Sequence, residues 1–335
     1  MTFKTWKPLA AYLVRNLIRL ILVLAAVSAL SFALVAFSPV DPVRQYAGEV
    51  GAANMSDETL AKFRSYFGSD TPPVQRYLNW ASGALRGDMG QSLIYRQPVT
   101  EVIGAKFMNS MVLMAAAWLC SGVIAFILGI SAGIFRDSLL DRIIKGYALI
   151  LASTPTFWLA LIMLMVFSVW LNWFPIGLSA PLGSLAAEVT VFDKLRHLIL
   201  PALTLSVTGV ASITLHTREK MIDVMAEDYI LNARARGQSL WHIVRHHGLR
   251  NVMIPAITLQ FASISEIFGG SVLVEQVFSY PGLGQAAVLA GLGGDAPLLL
   301  GIAVISAAIV FGGNLIANLL YGLIDPKIRR GGGHA

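Results

Sequence analysis

The groups on which this 335-residue chain could build chemistry are few: 6 histidines, 1 cysteine and 19 carboxylates. His242 and His246 stand four apart, which on a helix is metal-ligand spacing. They lie in a basic stretch with no nearby carboxylate, and with His197 and His247 they read as incidental rather than as a metal site. Cys120 sits inside an apolar run and reads as a small hydrophobe; a single cysteine excludes a disulfide framework or a cysteine-based metal site. Ser153-Thr154-Pro155 reads as a kinked helix entrance rather than a catalytic serine. No acid–base pair or nucleophile constellation stands out. No glycine-rich run leads into Lys-Ser or Lys-Thr, so the phosphate loop that would hold a nucleotide is missing. Two carboxylates remain. Glu266 lies midway along the apolar run 257–277, where a charge is expensive and marks a functional position by default. It either faces a polar pathway and meets a cation, or hydrogen-bonds a neighbouring helix in its neutral form. Glu275 lies nearer the end of that run and is read as ordering the turn Phe278–Gly284, where Pro281 and Gly282 spell a tight β-turn.

Composition decides what positions these groups. The chain is 56% hydrophobic and only 13% charged, against about 25% charged in soluble domains, and its mean hydropathy is +0.68. It is therefore read as an all-α integral membrane protein. Its apolar runs suit helices of about 20 residues, and the alternating segments of about 10 residues that a barrel needs are absent. Six spans are expected, at 14–37, 111–134, 146–171, 198–216, 255–275 and 298–323. The first is too long for a signal peptide and lacks a clear cleavage site, so it reads as an uncleaved span. Pro201 and Pro255 are each expected in the first turn of a helix, where the missing N–H costs little.

Charge sets the orientation. The N-terminal stretch through Arg19, the 135–146 loop, the 217–254 loop and the tail hold 4, 3, 6 and 3 Lys+Arg, whereas 172–197 and 276–297 hold 2 and 0. The positive-inside rule then places both termini and the 217–254 loop in the cytoplasm. The sequence pI near 9.5 follows from these basic loops rather than from nucleic-acid binding. The long 38–110 segment holds 7 basic and 7 acidic residues and is read as a small structured extracytoplasmic region. It contains a helical pattern from Ser56-Asp57-Glu58 through Leu60, Phe63 and Phe67 to Gly68. A second amphipathic stretch runs from Gln75 to Leu85, and a turn follows at Gly87–Gly90. The Gly331–Gly333 tail is expected to be disordered.

One polar segment stands between two apolar runs: Glu227 to Pro255. Val224 to Arg236 predicts a helix with Glu227 and Asp228 early and Arg234 and Arg236 late, the charge order that suits the helix dipole. Ala233, Ala235 and other good helix formers fill it, and Gly237 stops it. Ser239 then caps a short second helix, Leu240–His247, closed by Gly248. Leu240, Ile243, Val244 and His247 share one face, with Trp241 to its side. Arg250-Asn251 leads on to Pro255. By composition alone this is either an amphipathic helix lying on lipid or a helix built to dock on a partner.

The strings Ala233-Arg234-Ala235-Arg236-Gly237 and His247-Gly248-Leu249-Arg250-Asn251, with Pro255, resemble the coupling loop of ABC-importer permeases, most narrowly those of the dipeptide/oligopeptide/nickel family. Asp41-Pro42, Gly87–Ser92, Pro155–Trp158, His197–Pro201, Glu275 with Phe278–Gly284, and Asp325–Arg329 resemble that family's strings in the same order, so the likeness covers essentially the whole chain. Gly248 stands where the family usually has alanine. Leu231 stands where the wider importer motif has glutamate, so no role of that glutamate is carried over.

The resemblance implies a six-helix, type I ABC importer permease fold, a single transmembrane domain over 1–335 with an extracytoplasmic helical insertion at 38–110 and a cytoplasmic coupling loop at 217–254. It implies a permease subunit in a bacterial inner membrane, not an enzyme, forming half of a pathway for di- or oligopeptides. Nickel or another metal as a chelate is the alternative cargo, and an ion-gradient-driven transporter the alternative class. The implied partners are the lipid bilayer, a second homologous permease, two ATPase subunits that hold the ATP and Mg, and an extracytoplasmic solute-binding protein. The chain itself is expected to bind no cofactor, metal or nucleic acid. ATPase coupling falls to the 227–251 segment, and Glu266, Glu275, Pro281 and Gly282 fall to the path or its gate.

Overall fold

A computed structural model describes residues 6–37, 48, 51, 54–66, 71–181, 183 and 188–324. The Asp41-Pro42 and Asp325–Arg329 strings, Phe67, Gly68 and the glycine tail lie outside the described residues. Among the described residues thirteen helices follow in chain order, beginning with α1 (Trp6–Ala36), α2 (Asp57–Tyr66), α3 (Pro73–Leu85), α4 (Val99–Ile134), α5 (Leu139–Ser153) and α6 (Thr156–Met163), which continues as a π-helical stretch to Trp170. They are followed by α7 (Val191–Met225), α8 (Asp228–Ala235), α9 (Leu240–Ile243) with a π-helical turn over Val244–Gly248, α10 (Leu249–Ala262), α11 (Ile264–Val277), α12 (Leu283–Leu292) and α13 (Ala296–Ile324).

Among the described residues, four segments are long and apolar enough to cross a membrane: Val14–Ala36, Val99–Ile134, Val191–Met225 and Ala296–Leu319. Two bent pairs pass the same test, giving up to six if each counts as one span: α5 with α6 and its π extension, at 110°, and α9–α10 with α11, at 46°. The 146–171 run is therefore not one straight helix. A residue before proline avoids the helical region, and Thr154 is extended (φ −95°, ψ 123°). The hydroxyls of Ser153 and Thr154 donate to the carbonyls of Leu149 and Ile150 on the last turn of α5.

Neither Pro201 nor Pro255 starts a helix. Thr190 accepts from the Asp193 N–H while the Asp193 carboxylate accepts from the Thr190 N–H, a capping box that begins α7 at Val191. Pro201 thus lies well inside α7, and Pro255 inside α10.

The chain forms two compact units. The first comprises 1–110 and 281–312, the second 111–280 and 313–335. In the first, Val99, Val102 and Ile103 of α4 bury against Leu283, Ala286 and Ala290 of α12 and Leu298 and Ile302 of α13. Asp295 is fully buried there and accepts from Ser92 Oγ (2.5 Å) and the Ile94 N–H (3.0 Å), so a carboxylate ties the 92–95 loop to the start of α13.

In the second unit α7 is central, with α5, α6, α10 and α11 packed on it. A buried cluster of Leu113 and Met114 (α4), Ala160 (α6), Leu200 and Leu205 (α7) and Ile267 and Val274 (α11) forms its core. Small residues permit close crossing in place of the missing hydrophobic drive between membrane helices. A Cβ at Gly129 of α4 would lie 2.6 Å from Thr217 of α7, and one at Gly133 would lie 2.5 Å from Met221. The crossing of α5 on α7 is closed by an ion pair: Arg218 donates through Nε and Nη2 to the two Asp141 oxygens at 2.5 and 2.7 Å, with both side chains largely buried.

Candidate functional site

The polar segment between α7 and α10 folds into a compact knob. α7 ends at Met225, and the chain restarts with Glu227 extended at the N-cap of α8. The single helix expected over Val224–Arg236 is thus two, and the Glu227-Asp228 acids mark the second one's start, where the dipole favours them. Arg234 lies in its last turn.

At the end of α8 the chain turns through Gly237 at φ +77°. The Gly237 N–H donates to the Arg234 carbonyl (2.9 Å) and the Gln238 N–H to the Ala233 carbonyl (3.2 Å), the paired bonds of a Schellman stop. Nothing lies within 4 Å of a Cβ placed at Gly237, so the glycine answers to backbone conformation alone. Ser239 then caps α9, its hydroxyl accepting from the His242 N–H.

Gly248 does not close α9. Its φ is −68°, and a π-helical turn carries the chain straight into α10. The glycine has a tertiary reason instead: a Cβ there would lie 2.9 Å from the Met221 methyl.

The knob has its own core. Ile230 and Ala233 of α8, Ile243, Val244 and Val252 bury with Met221, Val224 and Met225 of α7. His247 is half-buried, its ring 6.1 Å from that of Tyr229. Asn251 Nδ2 donates to Tyr229 Oη and to the His247 carbonyl, both at 3.0 Å. Tyr229 therefore latches α8 to the entry of α10. Its position beside Glu227 and Asp228 at the start of α8 is the one signal the sequence carries for it. Leu240, expected on one face with Ile243, Val244 and His247, is exposed while Ile243 and Val244 are buried, and Trp241 is 71% exposed. Glu227, Asp228, Arg234, Ala235 and Arg250 are exposed as well. The outer surface thus combines Leu231 and Leu240 with Trp241 and arginines; tryptophan and arginine are the residue types that carry most binding energy at protein interfaces.

His242 and His246 stack with ring centroids 4.1 Å apart, and His246 Nδ1 donates to the His242 carbonyl (3.1 Å). Among the described residues no group of three His, Cys, Asp or Glu side chains gathers to hold a metal.

The remaining candidates lie elsewhere. Glu266 is exposed in the first turn of α11, just past the 46° break, and beside it Ser265 donates to Asn314 Oδ1 (2.7 Å). One turn before the break, Gln260 Nε2 donates to the Trp118 carbonyl and Trp118 Nε1 to the Gln260 carbonyl (2.5 and 2.7 Å). This clamp across α4 and α10 joins residues too far apart in sequence to suggest each other.

Glu275 is fully buried near the end of α11. The turn that follows is not at Pro281-Gly282. It is a second Schellman stop, with Ser279 at φ +48° and the Tyr280 N–H donating to the Glu275 carbonyl (2.8 Å). Burial and the nearby Glu275 carboxylate push the Tyr280 phenol up to about 12. Pro281 and Gly282 belong to the first unit, where Gly282 (φ −102°) precedes α12 and Asn109 donates to the Pro281 carbonyl.

The model of the family described as "Binding-protein-dependent transport system inner membrane component" matches residues 125–330, and that of the family's N-terminal region matches 9–116. The chain belongs to this family. The permease is 36% identical over 321 residues to the oligopeptide transport system permease protein AppB of Bacillus subtilis, covering 96% of this chain and 99% of that one. It is 35% identical to a putative peptide permease protein of Brucella suis, over 91% of this chain and 95% of the relative. It is 33% identical to the glutathione transport system permease protein GsiC of Escherichia coli, over 95% and 98%. The permease is thus a multi-pass inner membrane protein with the all-helical architecture of a type I ABC importer subunit.

Proposed function

We propose that this permease is one half of the membrane pathway of an ATP-driven importer of peptides, with α8–α9 as the surface gripped by a cytoplasmic ATPase subunit. The knob carries this reading: a rigid two-helix unit with its own buried core, facing outward with Trp241, Leu240 and arginines, on a chain of this family. ATP and Mg reside on the ATPase subunits. Their closure moves the knob as one piece and shifts the helices between inward- and outward-open states, a two-state change biased by a ligand bound elsewhere. Both chain termini are then cytoplasmic. A second, similar permease completes the pathway, and an outside binding protein delivers the cargo. The peptide cargo rests on the relatives named for oligopeptides, peptides and glutathione.

Gly237→Asp tests the coupling. It forces a side chain into a left-handed position and a negative charge among arginines; ATP-dependent uptake is expected to fall to background. Wild-type uptake in this variant, or a chain that never associates with an ATPase subunit, refutes the reading. A second cargo reading, a cationic metal chelate, draws on the exposed Glu266 carboxylate in an apolar helix, a position that does not face lipid without penalty. Glu266→Gln then weakens uptake of cationic cargo selectively. A uniform effect on all cargos removes that reading.

A further inference from the structure

Within the first unit lies a cavity of about 450 Å³, lined mainly by the last turns of α1 (Phe32, Val35), by Gly291 and by Leu299 at the start of α13, with Arg76 and Trp80 of α3 among its walls. Its chemistry is that of an amphiphile site. The body is apolar. One cation reaches it: Arg76, half-buried, with its guanidinium 5.2 Å above the Phe32 ring. Trp80 of α3, its ring 6.3 Å from that of Tyr77, adds an aromatic wall.

The level of the cavity follows from its walls. Val14–Ala36 and Ala296–Leu319 are both membrane-crossing in length and apolarity. Their ends at Phe32–Ala36 and Ala296–Leu300 meet the cavity, so it sits at the edge of the hydrocarbon. α3 supplies an independent sign. None of its residues is buried, and Val74, Leu78 and Leu85, on one helical stripe, are exposed, Leu85 to 91%. An apolar stripe facing outward, with Tyr77 bonded inward to Ser28 (2.9 Å), is the pattern of a helix lying in the membrane interface.

We propose that α3 is an interfacial helix and that the cavity beside it holds one membrane phospholipid. Its phosphate accepts from Arg76, and an acyl chain lies along Phe32, Val35 and Leu299. Arginine suits phosphate because its planar donors match the oxygen geometry. The inference is independent of what the permease carries.

Native mass spectrometry of the full-length permease, released from detergent after incubation with phosphatidylglycerol or phosphatidylethanolamine, tests it. One phospholipid per chain is expected to survive gentle activation. Diacylglycerol, which lacks the phosphate, should not be retained, and excess inorganic phosphate should not displace the lipid. Arg76→Gln should lower retention roughly tenfold, the weight of a lost hydrogen bond to a charged group. Gly291→Leu fills the cavity from a position with no atom within 4 Å of the new Cβ, and should abolish retention without unfolding the chain. Retention equal to wild type in Arg76→Gln and Gly291→Leu overturns the proposal. So does a structure of the assembled importer with a protein segment in the cavity.

Discussion

Two helices of the second unit, α8 and α11, end on the same pair of hydrogen bonds and on different residues. After α8 the left-handed position is Gly237, φ +77°, with open space around it. After α11 it is Ser279, φ +48°, where a side chain stores about 1–2 kcal/mol of strain. The surroundings explain why serine is tolerated. Phe278 and Tyr280, on either side, are buried, Phe278 packs in the core with α4, α6 and α7, and its carbonyl accepts from the Leu178 N–H (2.9 Å). A strained residue persists where its neighbours over-determine it. The first turn is thus fixed by the chain's own residue choice, and the second by tertiary contacts. The α8 stop keeps its shape without tertiary support, whereas the α11 stop depends on the packing of Phe278 and Tyr280.

The largest break in the comparison is Phe278→Ala. Removing a buried aromatic should destabilise by about 3–5 kcal/mol, seen as a clear drop in the thermal unfolding midpoint in detergent. A change below about 1 kcal/mol would mean that packing does not hold the Ser279 turn. Next is Gly237→Ala, which should cost about 1–2 kcal/mol from the left-handed backbone alone, with a matching fall in transport. The sharpest contrast is Ser279→Gly. It relieves that strain against a glycine entropy loss of about 0.5–1 kcal/mol, so it should stabilise by up to about 1 kcal/mol. Glycine is then the more stable residue at both turns, by the full left-handed cost at Gly237 and by a smaller margin at Ser279; a gain in Ser279→Gly as large as the loss in Gly237→Ala would contradict the comparison. Smallest is Tyr229→Phe. It removes the Asn251 latch, an exposed hydrogen bond worth at most about 1 kcal/mol, and should speed amide exchange in α8 ahead of the rest of the knob.

How far the sequence carries these features follows from where their causes lie. Gly237 and Ser239 are legible because turn and cap chemistry is local, and the membrane character is legible because hydropathy accumulates over 20-residue runs. Gly248 is not. Its neighbour is Met221, on another helix, and the same residue type that ends α8 merely lets a methyl group approach at the π-helical turn before α10. Pro201 and Pro255 misled for a similar reason: each looks like a helix start, yet the capping box at Thr190–Asp193 and the continuous α9–α10 backbone place them in helix interiors. The Arg218–Asp141 pair joins residues 77 positions apart, and no spacing rule connects them. Periodicity puts Leu240 on one face with Ile243 and Val244, but a helix of four residues running into a π turn does not keep a 3.6-residue face for long.

Trp241→Ala gives the most direct test of the central claim, that the α8–α9 knob is where the permease receives its energy. Trp241 is exposed and lies outside the buried core of the knob, so its removal should leave stability within about 0.5 kcal/mol of wild type. The account predicts that this variant, folded and inserted normally, loses co-purifying ATPase subunits and ATP-dependent peptide uptake together. Full association and uptake in Trp241→Ala would contradict it.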